Sequence, residues 1–191
     1  MTDEKKPDPV KNQEYALFQR ASTPEQDPVL TILRVHLLSE YYLERLIHIC
    51  LPRGDTLLDN GNLSYSQKLT VVSAFDVLND RTLQCLKGLN KVRNECAHGI
   101  DKTISMTDVE SIGRPLGKLY TKYKRESGNS VPEFLHCIFG YLTGHLAGQV
   151  TTVEEKVIVK AEKKQAGSEQ SPASDSGKAA SDGGPTGAPE G

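Results

Sequence analysis

Three features of the chain predict an all-α protein, an up-and-down helical bundle. Apolar residues recur at helical spacing through most of residues 10–160. Polar start signals stand at the heads of these runs, and short turn-forming stretches separate them. Almost nothing alternates apolar with polar residues as a strand would, so helices joined by short connections remain.

In chain order, residues 1–9 are charged, contain Pro7 and Pro9, and read as a flexible leader. Tyr15, Ala16, Leu17 and Phe18 suggest a short amphipathic helix ending before Pro24. Asp27 followed by Pro28 is a start signal, with Asp as N-cap and Pro at the first helical position. The helix that follows runs from 28 to about 51 and stops at Pro52, Arg53 and Gly54. Leu33, Leu37, Ile47 and Leu51 line one side of it, and Ile32, Leu43, Leu46 and Cys50 the adjacent side. An apolar arc that wide marks a central helix packed by more than one neighbour. Within the arc His36, Glu40 and Glu44 recur every fourth residue as a polar stripe. The stripe is either an ion-paired helix edge or a support facing, and orienting, the segment 93–98.

Residues 53–62 read as a polar loop. Ser64 with Gln67 forms a capping box that opens a helix to about residue 78, carrying Leu69, Val72, Phe75 and Val77. Asn79 and Asp80 connect it to a helix over 81–98 with Leu83, Leu86, Leu89, Val92 and Cys96 on its apolar face, and Gly99 supplies a left-handed C-cap. Thr107 with Glu110 is a further capping box and predicts a helix to about 124, kinked or broken by Pro115. Ser130, Pro132 and Glu133 open the last helix. There Gly140, Gly144 and Gly148 form a stripe that lets another helix approach closely, either within the chain or across a homodimer seam. Val157, Ile158 and Val159 either extend this helix or form a strand. From about residue 161 the chain is Ser, Gly, Ala, Pro, Lys and Asp with no large apolar residue, which predicts a disordered tail over 161–191. The organisation read from the sequence is therefore a leader (1–9), one bundle domain (10–160) and a tail (161–191).

The formal net charge of −2 over 191 residues supplies no global field for nucleic acid, so any polyanion would be held by a local patch. Cys50, Cys85, Cys96 and Cys137 lie in apolar helical runs without paired metal-type spacing, and read as reduced core thiols of a cytoplasmic protein. The charged N-terminus does not resemble a signal peptide, and no apolar run approaches the roughly 20 residues of a membrane span, so no membrane partner is expected. No P-loop, dinucleotide-binding glycine fingerprint, His-Glu-x-x-His or Gly-x-Ser-x-Gly is present, and the five histidines do not form a metal set; neither cofactor nor metal is expected.

One segment concentrates chemistry. Residues 89–99 place Arg93, Asn94 and His98 at the carbonyl end of a helix. Asn94 and His98 share a face one turn apart, with Arg93 beside them. An imidazole titrates near neutral pH and serves as proton donor or acceptor, and a guanidinium holds a phosphate bidentately and stabilises developing charge. Asn94 can orient the ring or contact the phosphate, and Glu40 is positioned by the stripe reading, with His36, to hold Arg93. Five residues of straight helix separate Arg93 from His98 by about 140°. They converge only at a distorted helix end or with a residue from a second subunit.

The run Arg93-Asn94-Glu95-Cys96-Ala97-His98, with its Leu-Asn-Lys-Val lead-in, its glycine stop and a long upstream helix containing Glu40, resembles the Arg-x4–6-His motif of the HEPN superfamily. The resemblance covers about residues 28–150. It implies a metal-independent endoribonuclease whose paired motifs face each other across a homodimer cleft, with Arg93, Asn94 and His98 catalytic and Glu40 and His36 supporting. It also implies RNA as substrate, and a toxin–antitoxin or phage-defence setting with an antitoxin or nucleotidyltransferase-type partner chain. A more distant similarity to the mannitol-operon repressor family implies instead a regulator of transcription without catalysis.

Overall fold

A computed structural model describes Ala16, Leu17, Gln19, residues 27–99 and residues 101–168. Among the described residues the protein is all-α, a helical bundle with no strand. Its elements are α1 (Pro28–Cys50), α2 (Gly54–Gly61), α3 (Tyr65–Ser73), α4 (Asp80–His98), α5 (Met106–Gly113), a 3-10 turn (Arg114–Leu116), α6 (Lys118–Glu126) and α7 (Val131–Ser168). Ala16, Leu17 and Gln19 are helical. The leader 1–9 and the tail beyond Ser168 lie outside the described residues.

The chain divides into two compact units, Met1–Val157 and Ile158–Gly191. The first contains the core. Of the second, residues 158–168 are described; they are helical, eight residues past the boundary expected at 160, and Ile158 and Val159 are exposed. The run 157–159 is thus helix rather than strand.

Helix α1 starts as expected: Asp27 Oδ1 accepts from the Val29 N–H at 2.9 Å. It packs against α2, α3 and α4 and buries Ile32, Val35, Leu38, Leu43, Leu46 and Ile47. Its buried arc is narrower than the sequence suggested, for Leu37 is 65% exposed. The expected loop at 53–62 is instead the short helix α2. Leu57 and Leu58 pack on the core, which repays ordering those residues, and Asn62 stops the helix in the left-handed region at φ 42°. The turn into α2 requires glycine, since a Cβ on Gly54 would lie 2.5 Å from the Ile47 carbonyl oxygen.

The Ser64–Gln67 capping box is formed, but α3 ends at Ser73, five residues earlier than expected. Asp76 at φ 54° is incompatible with helix and turns the chain toward Asn79, which caps α4 by accepting from the Thr82 N–H at 2.9 Å. Leu83, Cys85, Leu86, Leu89 and Val92 bury one face of α4. On that helix Gly88 allows a close crossing with α5: a Cβ there would stand 3.2 Å from Ile112 Cα and 3.3 Å from Ser111 O.

Gly99 is extended (φ −118°, ψ 107°) rather than left-handed: its N–H still closes the last turn on Glu95 O, and its carbonyl accepts from the Lys102 N–H at 3.1 Å. The next capping box is Ser105 with Asp108, two residues before the expected Thr107–Glu110 pair. Pro115 sits in the 3-10 turn and Gly117 follows at φ 62°, so the expected helix is broken into α5 and α6. Helix α7 buries Phe134, Leu135, Ile138, Leu142 and Leu146 completely. Its glycine stripe faces outward: a Cβ on Gly140, Gly144 or Gly148 would meet nothing within 4 Å. No described helix packs against the stripe. No helix among the described residues is long and apolar enough to cross a membrane.

Candidate functional site

The polar stripe of α1 divides in two. His36 points into the bundle, 4% exposed, and stacks on Tyr65 with ring centroids 4.2 Å apart. Asn90 on α4 uses its amide N–H to donate to Ser66 Oγ at 3.1 Å, so its carbonyl oxygen faces His36 and accepts from Nε2–H at 3.0 Å. That arrangement makes Nε2 the donating nitrogen of the ring. Burial is the main reason the His36 pKa falls below the usual histidine value. The Asn90 hydrogen bond works against the fall, and the nearby Arg93 cation adds to it. Ser39 Oγ donates to His36 O at 2.8 Å and accepts from the Tyr65 hydroxyl at 2.9 Å. Every member of this group has a partner, as buried polar groups require.

The other half of the stripe is an ion-paired edge. Lys68 Nζ bonds Glu40 at 2.7 Å and Glu44 at 2.5 Å, and its side chain is 11% exposed. Burial works against the ammonium, but the two carboxylates outweigh it and hold the Lys68 pKa above the ordinary value. Glu40 therefore does not hold Arg93, and no ion pair joins the two among the described residues. The better-placed cation, Lys68 on α3, took the carboxylate.

At the end of α4 the surroundings change. Arg93 is half-buried, and its Nη1 donates to Asn94 Oδ1 at 3.1 Å, while Asn94 and His98 are exposed. Glu95 faces the following loop, where Lys102 Nζ bridges it at 3.3 Å and Asp108 at 3.2 Å. The last turn is regular, closed by Gly99 N–H to Glu95 O at 3.1 Å. The helix end is undistorted, so in one chain Arg93 and His98 diverge by about 140°. The structure thus joins Arg93 to Asn94, brings His36 into the electrostatic reach of Arg93, and leaves His98 apart.

The other reactive groups are subdued. Cys85 is buried and its thiol is pushed up to about 12, and burial also raises Cys50, Cys96 and Cys137. All four are free thiols, and where a cation is near, Lys102 for Cys96 and Lys122 for Cys137, burial outweighs it, so none is activated as a nucleophile. His145, whose pKa burial lowers, lies 3.3 Å from the Asn79 amide nitrogen and stacks on Tyr141. Among the described residues no group of three or more His, Cys, Asp or Glu side chains could hold a metal ion.

Sequence reasoning missed Asn90, Ser66, Tyr65 and Lys68. Two signals were available: Asn90 interrupts the buried face of α4 one turn before Arg93, and two glutamates a turn apart on α1 require a counter-ion. The fold defines the class as an all-α bundle in which the end of α4 carries a half-buried Arg93 beside an exposed Asn94 and His98. No family model, no curated protein and no solved structure matches this chain.

Proposed function

We propose that this chain is a HEPN-like cytoplasmic endoribonuclease that needs no metal and works as a homodimer. Arg93 and Asn94 of one protomer face His98 of the other across a shared cleft. The observation that carries the reading is the regular end of α4: it exposes Asn94 and His98, ties Asn94 to Arg93, and turns the two key side chains apart within one chain. His98 exchanges a proton with the attacking 2′-hydroxyl or the leaving oxygen, and Arg93 stabilises the phosphate as charge develops. His36, Asn90 and Tyr65 brace α4 and take no part in the proton exchange. The exposed glycine stripe of α7 fits the homodimer seam, the other reading of that motif.

The test is complementation in EDTA. Arg93→Ala and His98→Ala each abolish RNA cleavage. Mixing and re-equilibrating the two variants restores about a quarter of wild-type activity, because half the dimers are mixed and each of those regains one of two sites. No recovery in the mixture would place both residues in one chain. Absence of cleavage by wild type would leave the regulatory, mannitol-repressor-like reading, in which the same helix end binds without reacting.

A further inference from the structure

The site at the end of α4 is small, and a chain of net charge −2 offers a polyanion little general attraction. One local exception stands out. Residues 114–125 contain five basic residues and no acidic one. Glu110 neutralises two of them, bonding Arg114 Nη2 at 3.2 Å and Lys124 Nζ at 2.5 Å. The remaining three, Lys118, Lys122 and Arg125, are exposed and lie four and three residues apart on one face of α6. With Thr121 they line a single surface hollow. Among the described residues only Lys122 has a carboxylate in range, Glu126 at 4.0 Å, on two largely solvated side chains.

The orientation of α6 is set by its other side, where Leu119, Tyr120 and Tyr123 pack against the core. Helix stability accounts for Arg125, which lies in the last turn where a cation offsets the dipole, but not for Lys118: the first turn has no acidic residue and no side-chain cap, so the lysine adds to the positive end of the helix. A membrane surface is a poor match, because binding there needs exposed large apolar side chains among the cations, and α6 exposes none. A strand of regularly spaced phosphates is a good one, since the three cations extend over about 10 Å of helix axis.

We infer that the α6 face formed by Lys118, Thr121, Lys122 and Arg125 holds the phosphate backbone of single-stranded RNA. This inference rests on RNA being the ligand proposed above and assigns it a second contact surface, separate from the Arg93–His98 end. The cations act by displacing counter-ions from the strand, so they contribute affinity without base preference.

The experiment uses the full chain and a fluorescent 2′-O-methyl RNA 20-mer, which binds but lacks the 2′-hydroxyl needed for cleavage. The K118Q/K122Q/R125Q variant is expected to bind at least tenfold more weakly at low salt. Its slope of log affinity against log salt should be shallower by about 2, at roughly 0.7 per lost phosphate contact. The control R81Q/K156Q/K160Q removes the same charge from other exposed positions and should stay within twofold of wild type. An unchanged affinity and slope in the first variant, or an equal loss in the control, overturns the inference. So does wild type that ignores the RNA but binds phosphatidylserine vesicles or polyglutamate. Tight, α6-dependent binding together with absent cleavage of ordinary RNA would break the catalytic reading alone. Cleavage with α6-independent binding would break this one alone.

Discussion

Asn90 and Asn94 are the same side chain on the same helix, one turn apart, in opposite surroundings. Asn90 lies level with the first turn of α3 and spends both ends of its amide, one on His36 and one on Ser66. Asn94 is exposed, and among the described residues its side chain bonds Arg93. The first belongs to a closed polar network, where each group is bound to a neighbour and the structure depends on it. The second belongs to an open one, with donors and acceptors left over for a ligand. Burial and satisfaction, rather than residue type, separate framework from site along α4.

The comparison is broken most severely at the open end. Arg93→Ala or His98→Ala should lower RNA cleavage by at least ~100-fold, the usual scale for a lost acid–base or charge-stabilising group. Thermal unfolding should stay at the wild-type temperature; a fall of several degrees would mean these residues are framework as well. The closed end should behave in the reverse way. Asn90→Ala leaves the His36 Nε2–H buried without an acceptor and should destabilise the fold by about 1–3 kcal/mol. Asn94→Ala should stay within about 0.5 kcal/mol. Urea unfolding of the pair measures the contrast, and equal losses would erase it.

A smaller effect concerns acid. Because the folded state lowers the His36 pKa, the unfolded chain binds the proton first as pH falls. Stability should be unaffected by His36 above the ordinary histidine value, decline as pH drops below about 6.5, and stop declining for this reason below the lowered folded value. His145 contributes in the same direction. A His36→Gln variant should show a flatter decline over that window; an identical pH profile would exclude His36 as its source. The smallest effect is at α7. Gly144→Ala adds a methyl that meets nothing in the chain, and should stabilise the isolated protomer by up to about 1 kcal/mol while weakening self-association. Analytical ultracentrifugation that finds association unchanged would remove the stripe from the seam.

Most helix starts were legible, because Asp27–Pro28 and Ser64–Gln67 encode their caps within four residues. The ends were less so. Helix α3 stops where Asp76 adopts a positive φ that no local pattern announces. Helix α2 exists because Leu57 and Leu58 find a core that only the folded chain supplies. The segment 93–98 could be read as a polar helix end from spacing alone. The partner of Glu40 could not, since choosing between Arg93 and Lys68 requires the packing of α3 on α1. His36 looked like a site residue from its place in the stripe, but its depth, a tertiary quantity, makes it framework.

The close crossing at Gly88 bears on how the reactive end meets its ligand. Five residues before Arg93, α4 rests on the backbone of α5 at Ser111 and Ile112, with no side chain between to act as a cushion. Backbone contacts have no rotamer to change, so the spacing of α4 and α5 at this point is set by main chain alone. A ligand that meets this end finds a frame already spaced by backbone, with adjustment left to itself and to the side chains at the tip. If that ligand is RNA, as proposed, selectivity follows how readily a strand bends into the frame, favouring unpaired, pliable segments over stiff duplex.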